Sequence, residues 1–352
     1  MYPFTIDPAA TVSADVLLGA VICEEVRAAG PSGRRLFHKG HRLTSDDLTT
    51  IPEMAAPVHA VCLEPGDVHE DTAGLRLAAA ISGPGVAPRG PVQSRVNLIA
   101  TVKGLLRVDR AAVVALNRMD GIAVFTLPDR LTVVPGKIVA GAKITPVAVP
   151  ESTLIAVERA ISQEHSVVTI KPFLPLRVGI VTTEGLSGAV QERFRATVSR
   201  KLSWFGASVL RFEDLSGHAE SPEMVASAIE GLISDGAELI LTGGGNTIDP
   251  LDATLRALPL LGAEMVKFGA PAHPGSMFWL AYRWDVPIFN LASCSMYSKA
   301  TVADLILPWV LTGDRVTLDD LAELGYGGLL DRDMAFRFPP YDIDATEESD
   351  EE

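Results

Sequence analysis

Residues 238–252, ELILTGGGNTIDPLD, decide how the C-terminal half of the chain is read. The run ELIL is short and apolar, as in a strand covered on both faces. It ends abruptly in Gly243, Gly244 and Gly245. Without Cβ atoms these residues let the backbone turn tightly and bring its N–H groups up to a flat or phosphorylated ligand. Asn246, Asp249 and Asp252 follow as polar side chains beside that turn. The bland reading is a strand-to-helix turn, with Asp249 as the N-cap and Pro250 at the first helical position. The functional reading makes the two acids acceptors for ligand N–H groups or oxygen ligands of a divalent metal.

Outward from this stretch the pattern stays regular. Residues 177–182 (RVGIVT) read as a strand. Residues 188–205 read as a helix, with Val190, Phe194, Val198, Leu202 and Phe205 at helical spacing. A strand at 208–212, a helix at 223–233, a strand at 286–291 and a helix at 299–310 complete the alternation. Such alternation implies a three-layer α/β/α domain over residues 173–330, its sheet mostly parallel and its crossovers right-handed. Ligands bind at the carboxyl ends of the strands in sheets of this kind, so the post-strand loops carry the functional question. The first loop offers Thr182, Thr183 and Glu184. The second offers Gly243, Gly244, Gly245, Asn246, Asp249 and Asp252. The third, residues 291–299 (LASCSMYSK), offers Ser293 and Ser295, with Lys299 either offsetting ligand charge or simply solvated.

The N-terminal half is shorter in its elements and richer in turns. It reads as an α+β region at 1–83 and a second at 84–172, joined by the Gly-Pro stretch 81–91 (ISGPGVAPRGP), a loop or linker. Helices are expected at 68–80, 104–116 and 155–162, strands at 122–126 and 143–149. His38 and His41 have a metal-ligand spacing, but Gly40 between them argues against the helix that would align them. His69, Glu70 and Asp71 read as a solvated helix start with acids favourably placed for the dipole. Cys294 reads as a small residue in a tight loop.

The net charge of −14 is uneven, because residues 341–352 hold seven acids and no base. That stretch has little to bury, and residues 331–352 are expected to be a disordered acidic tail. The remainder lacks any Lys/Arg-rich run with aromatic interleaving, which excludes nucleic acid as the expected partner. Cys23, Cys62 and Cys294 form no CxxC pair, so neither a disulfide framework nor the usual zinc spacing is expected. Apolar runs are too short to span a bilayer, and no basic segment followed by an apolar stretch opens the sequence. A cytoplasmic protein without membrane association is the expectation.

Thr242-Gly243-Gly244 followed by Asp249, after an apolar strand and the Asp-Gly-Ala-Glu lead-in at 235–238, resembles the signature loop of molybdopterin-binding domains. Residues 185–194 (GLSGAVQERF) look like the passage from first strand to helix in those domains. Residues 268–282 (FGAPAHPGSMFWLAY) resemble the segment where a Pro-Gly turn, here Pro274-Gly275, enters the next strand. Over the whole chain the resemblance extends to stand-alone molybdopterin-binding proteins. It is carried by residues 37–41 (FHKGH), His69-Glu70-Asp71 and residues 324–329 (LGYGGL). It implies that Gly243, Gly244 and Asp249 line a pterin–phosphate site, with Mg²⁺ at Asp249 in any catalytic version. It also implies a homo-oligomer, and delivery to a molybdoenzyme or another cofactor-biosynthesis protein. Asn246 stands where Ser is common, Asp252 is offset by one, the first loop is short, and Leu-Pro-Gly has become Leu291-Ala292-Ser293. Three functions stay open: a cofactor-binding protein, a Mg²⁺-dependent adenylyltransferase or molybdotransferase, and a structural or regulatory module with a decayed pocket.

Overall fold

A computed structural model describes residues 1–10, 12–31, 33–92, 94–161, 166–183, 188–216, 221–244, 248–291, 301–330 and 332–341. The chain forms two compact units. One comprises Met1–Val102, Leu106–Asp129 and Pro135–Ile170; the other comprises Lys103–Leu105, Arg130–Val134 and Lys171–Glu352.

The second unit is built on a six-stranded sheet. Its strands are β1 (Arg177–Thr182), β2 (Ser208–Asp214), β3 (Leu239–Gly243), β4 (Glu264–Phe268), β5 (Trp279–Arg283) and β6 (Val286–Asn290), in the order β2-β1-β3-β6-β5-β4. β1 pairs in parallel with β2 and β3, and β3 with β6. β5 runs antiparallel to both β6 and β4. Both faces of β1 and β3 are apolar because both are covered. Val178, Ile180, Leu239 and Leu241 join one core with Phe194, Val198 and Leu202 of helix α1 (Gly188–Phe205) and Ile306 of α4 (Val302–Leu311). Val181 and Ile240 join another with Ile229 of α2 (Pro222–Ser234) and Ala257 of α3 (Ala253–Leu260). Each fully buried Leu or Ile in such cores contributes roughly 1.5–3 kcal/mol.

One buried charge ties this unit together. Asp304, in the first turn of α4, accepts from the Thr301 N–H at 3.3 Å and its hydroxyl at 2.9 Å, a capping box. Its other oxygen takes Lys201 Nζ of α1 at 2.6 Å and the Tyr341 hydroxyl at 3.0 Å. Burial, then Asp304 beside it, pushes that hydroxyl well above the usual tyrosine range. The Tyr341 ring also meets Trp204 and Phe205 edge-on. Residues 332–341, grouped with the acidic tail by composition, thus include a short 3-10 helix (Arg332–Arg337) and this aromatic anchor.

In the first unit the strand pairs of two sheets run antiparallel. Val58–Cys62 pairs with Tyr2–Ile6 and with Val21–Ile22. A four-stranded sheet places Ile122–Thr126, Ile138–Ile144, Arg95–Ala100 and Val86–Val92 side by side. Several expectations are corrected here. Most of the supposed linker, Val86–Val92, is a strand whose pairing with Arg95–Ala100 shifts register between Arg89 and Val92, where Pro91 has no N–H to donate. Within 104–116 only Arg110–Leu116 is helical; Gly104–Val108 is a strand, because Asp109 stops it and caps the helix through the Ala112 N–H. The expected strand at 143–149 is two, Ile138–Ile144 and Ala148–Pro150. No helix among the described residues is long and apolar enough to cross a membrane.

Asp304→Ala leaves the Lys201 ammonium, 11% exposed, without its partner and undoes the capping box. It is expected to cost about 3–5 kcal/mol. Lys201→Met leaves Asp304 its hydroxyl and N–H donors and should cost far less. Urea unfolding midpoints at unchanged slope check the pair.

Candidate functional site

The register of three strands builds the site. Thr182 closes β1 opposite Asp214 of β2 on one side and Gly243 of β3 on the other, so the three form one row at the carboxyl edge of the sheet. Next to it Thr242 faces Asn290 across the β3–β6 pair. The ladder continues one step beyond the strands: the Thr183 N–H donates to the Gly243 carbonyl at 3.1 Å, and the Leu291 N–H to Thr242 at 2.8 Å.

At Gly244 the chain turns with φ +148°, and a Cβ there would fall 2.0 Å from Thr183 Oγ1. No L side chain fits either the conformation or the space. The Thr183 hydroxyl is in turn within 3.2 Å of the Thr254 hydroxyl, and both residues are buried. Thr182 Oγ1 lies 3.5 Å from both the Glu213 carbonyl and Asp214 Oδ1. Asp214 accepts from the Ser216 N–H at 3.0 Å and from the Gln191 amide. The Ser216 N–H first, then Ser216, Gln191 and Thr182 side chains, hold its carboxyl below the usual carboxylate range.

The two acids of the glycine loop divide their duties in a way the spacing misassigned. Asp252, not Asp249, is the N-cap of α3: its Oδ1 accepts from Thr254 N–H at 2.8 Å and Leu255 N–H at 3.3 Å. Pro250 therefore precedes the helix, because the cap lies two residues further on. Asp249 is exposed, and among the described residues its side chain accepts from the Leu251 N–H, at 2.9 Å. Pro274 follows a cis peptide, and Gly275 (φ +110°) lies against the start of α4, where its Cβ would come 2.8 Å from the Val302 nitrogen. Glu184, Gly245, Asn246, Ser293, Ser295, Cys294 and Lys299 lie outside the described residues.

The structure thus brings Thr182, Thr183, Gly243 and Gly244 together. Sequence reasoning missed Asp214, Gln191 and Thr254, which complete the hydrogen bonding around them. Only Asp214 carried a signal, an acid at the end of an apolar strand. Asn290 holds the neighbouring segment, accepting from Trp279 N–H at 2.9 Å and donating to the Met277 carbonyl at 3.1 Å. Among the described residues no three His, Cys, Asp or Glu side chains are placed to hold a metal.

No family model matches the chain, and no curated protein matches it. Solved structures do. A molybdopterin biosynthesis enzyme MoaB from Thermus thermophilus is 19% identical, with a TM-score of 0.29 over 40% of this chain and 98% of that one. The molybdopterin biosynthesis Mog protein from Mycobacterium ulcerans is 16% identical, with a TM-score of 0.26 over 43% and 95%. A molybdopterin biosynthesis MoeA protein from Pyrococcus horikoshii is 12% identical, with a TM-score of 0.29 over 73% and 81%.

Two stability measurements follow from this geometry. Asp252→Ala removes a working cap and should cost about 1 kcal/mol, while Asp249→Ala should leave the urea midpoint nearly unchanged. Asp214→Asn should destabilise at neutral pH. A depressed folded pKa stabilises above the unfolded value of about 3.9, and that contribution disappears as pH falls through the folded value. The gap between wild type and Asp214→Asn should therefore close as unfolding is measured below about pH 3.9.

Proposed function

We propose that the C-terminal unit binds molybdopterin or its nucleotide form, in the biosynthesis, storage or delivery of the molybdenum cofactor to a molybdoenzyme. The observation that carries this reading is the row Asp214–Thr182–Gly243 at one sheet edge, closed by a Gly244 turn with no space for a side chain. The row supplies a place for a ligand. The resemblance of residues 238–252 to molybdopterin-binding signature loops supplies its chemical identity.

In this reading the ligand's phosphate rests on N–H groups of the glycine turn and on the Thr182 and Thr183 hydroxyls. The amino end of α3 does not contribute its Thr254 and Leu255 N–H groups, since Asp252 holds them. Asp249, exposed and outside the helix cap, faces the pterin's N–H groups. In a catalytic version it would instead hold Mg²⁺, which would neutralise phosphate charge. The donors and acceptors at this sheet edge suit recognition, and binding is the function they support best.

Anaerobically purified protein mixed with molybdopterin is expected to retain it. The retained pterin is read by fluorescence after acid–iodine oxidation. Gly244→Val should lose the ligand, and Asp249→Ala should weaken its retention, since Asp249 meets the pterin's N–H groups; unchanged retention would leave Asp249 to metal-assisted chemistry instead. A wild type that retains no pterin would overturn the reading.

A further inference from the structure

The amino edge of the six-stranded sheet, opposite the row at its carboxyl edge, opens on a cavity of about 260 Å³. Leu176 precedes β1, Glu238 precedes β3 and Pro287 lies at the start of β6, so three parallel strands meet the cavity at their amino ends. Val310, in the last turn of α4, and the residues just after that helix close the other side. Leu176, Pro287 and Val310 give it an apolar wall. The volume lies below the roughly 300–1,000 Å³ usual for drug-sized ligands, so its occupant is a smaller molecule.

The polar groups of this cavity are of both signs. Arg315 stacks on the Tyr282 ring, 4.1 Å from its centroid, and donates to the Trp284 carbonyl at 3.1 Å. Asp285 and Glu264 lie 3.6 and 3.7 Å from its nitrogens, beyond hydrogen-bond length. A guanidinium carries five N–H donors, so most of the fork is unspent among the described residues. Tyr282 is 3% exposed; its hydroxyl accepts from the Val316 N–H at 2.9 Å and gives its own proton to no acceptor among the described residues. Of the three acids, Asp314 is held by Lys171 and by the Thr312 hydroxyl at 3.1 Å. Glu238 accepts from the Arg177 N–H through Oε2 at 3.0 Å, which leaves Oε1 available, and Asp285 stands fully exposed at the rim. The carboxyl end of α4 adds partial negative charge, and no basic residue in its last turn offsets it.

This inventory decides what fits. With Asp314 neutralised by Lys171, two carboxylates face one guanidinium, so the cavity lacks one positive charge. A bare cation would leave the Arg315 fork and the Tyr282 proton unused. A bare anion would meet Glu238, Asp285 and the negative end of α4. A small molecule with one carboxylate and two cationic groups uses all of them and brings the missing charge. We propose that the amino edge of the sheet is a second ligand site, for an α-amino acid with a basic side chain, such as lysine or ornithine. Arg315 and the Tyr282 hydroxyl donate to its carboxylate, whose two oxygens match the planar fork. Glu238 and Asp285 accept from its two cationic groups, and its methylene stem lies along Leu176, Pro287 and Val310. The site is independent of the row at the carboxyl edge.

The test is a ligand-observed NMR titration of the full-length protein with L-lysine in an amine-free buffer. Wild type and Gly244→Val should bind alike. Glu238→Gln and Arg315→Ala, both at exposed positions, should each bind about tenfold more weakly, with urea midpoints that show folding intact. Cadaverine, which keeps both ammonium groups and lacks the carboxylate, should bind wild type more weakly than lysine and lose nothing in Arg315→Ala. L-leucine, with one cationic group, should also bind more weakly, and L-glutamate not at all. No lysine binding by wild type would overturn the proposal while leaving molybdopterin retention, a separate assay, untouched. Cadaverine binding as tightly as lysine would reduce the site to a trap for cations and reject the ligand class. Binding lost in Gly244→Val but unchanged in Glu238→Gln and Arg315→Ala would assign it to the glycine turn and overturn the proposal equally.

Discussion

The parallel pairing of β1 with a neighbour on each side is the constraint on which the rest of the C-terminal unit depends. Side chains alternate between faces with a period of two, so a slip of one residue would exchange the two cores. Val178 and Ile180 would then face α2 and α3, and Val181 would face α1. Because both faces are covered, that exchange is excluded by packing, and the end of the ladder is fixed with it. Thr182, Asp214 and Gly243 are neighbours as a result of the same register that assembles the core. The site inherits its geometry from the sheet.

A second layer of order comes from carboxylates already bound by their own chain. Asp304 gathers Thr301, Lys201 and Tyr341; Asp252 gathers the first N–H groups of α3; Asp214 gathers Ser216 and Gln191. Each accepts hydrogen bonds from donors close in space. Against that pattern Asp249 stands out, exposed and, among the described residues, with a single local side-chain bond. An acid's position in a motif says little about its duty until its partners are known.

Much of this was legible in the sequence where one physical signal dominated. β1 and α1 have the bounds that apolar run and helical spacing give, because a doubly covered strand and a long amphipathic helix have little competition. The glycine turn was legible as a turn, and its closure on Thr183 was not, since that contact joins residues about sixty positions apart in different elements. In the N-terminal unit short apolar runs admit both strand and helix, and Gly104–Val108 went to the wrong one. Gly and Pro in Val86–Val92 suggested a loop, although a strand can accommodate them where its register shifts. The cap of α3 was misplaced by three residues because two aspartates flank Pro250 and Leu251, and only the geometry shows which one reaches the helix N–H groups.

That cap has a consequence for how the site responds to its surroundings. A helix whose first amides are free is a partial positive charge waiting for an anion, and binding there weakens as salt screens it. At α3 those amides are already occupied by Asp252, which also brings a formal negative charge to the same end. In the proposed reading, an anion at the glycine turn would therefore draw on short, directed contacts rather than on the field of α3.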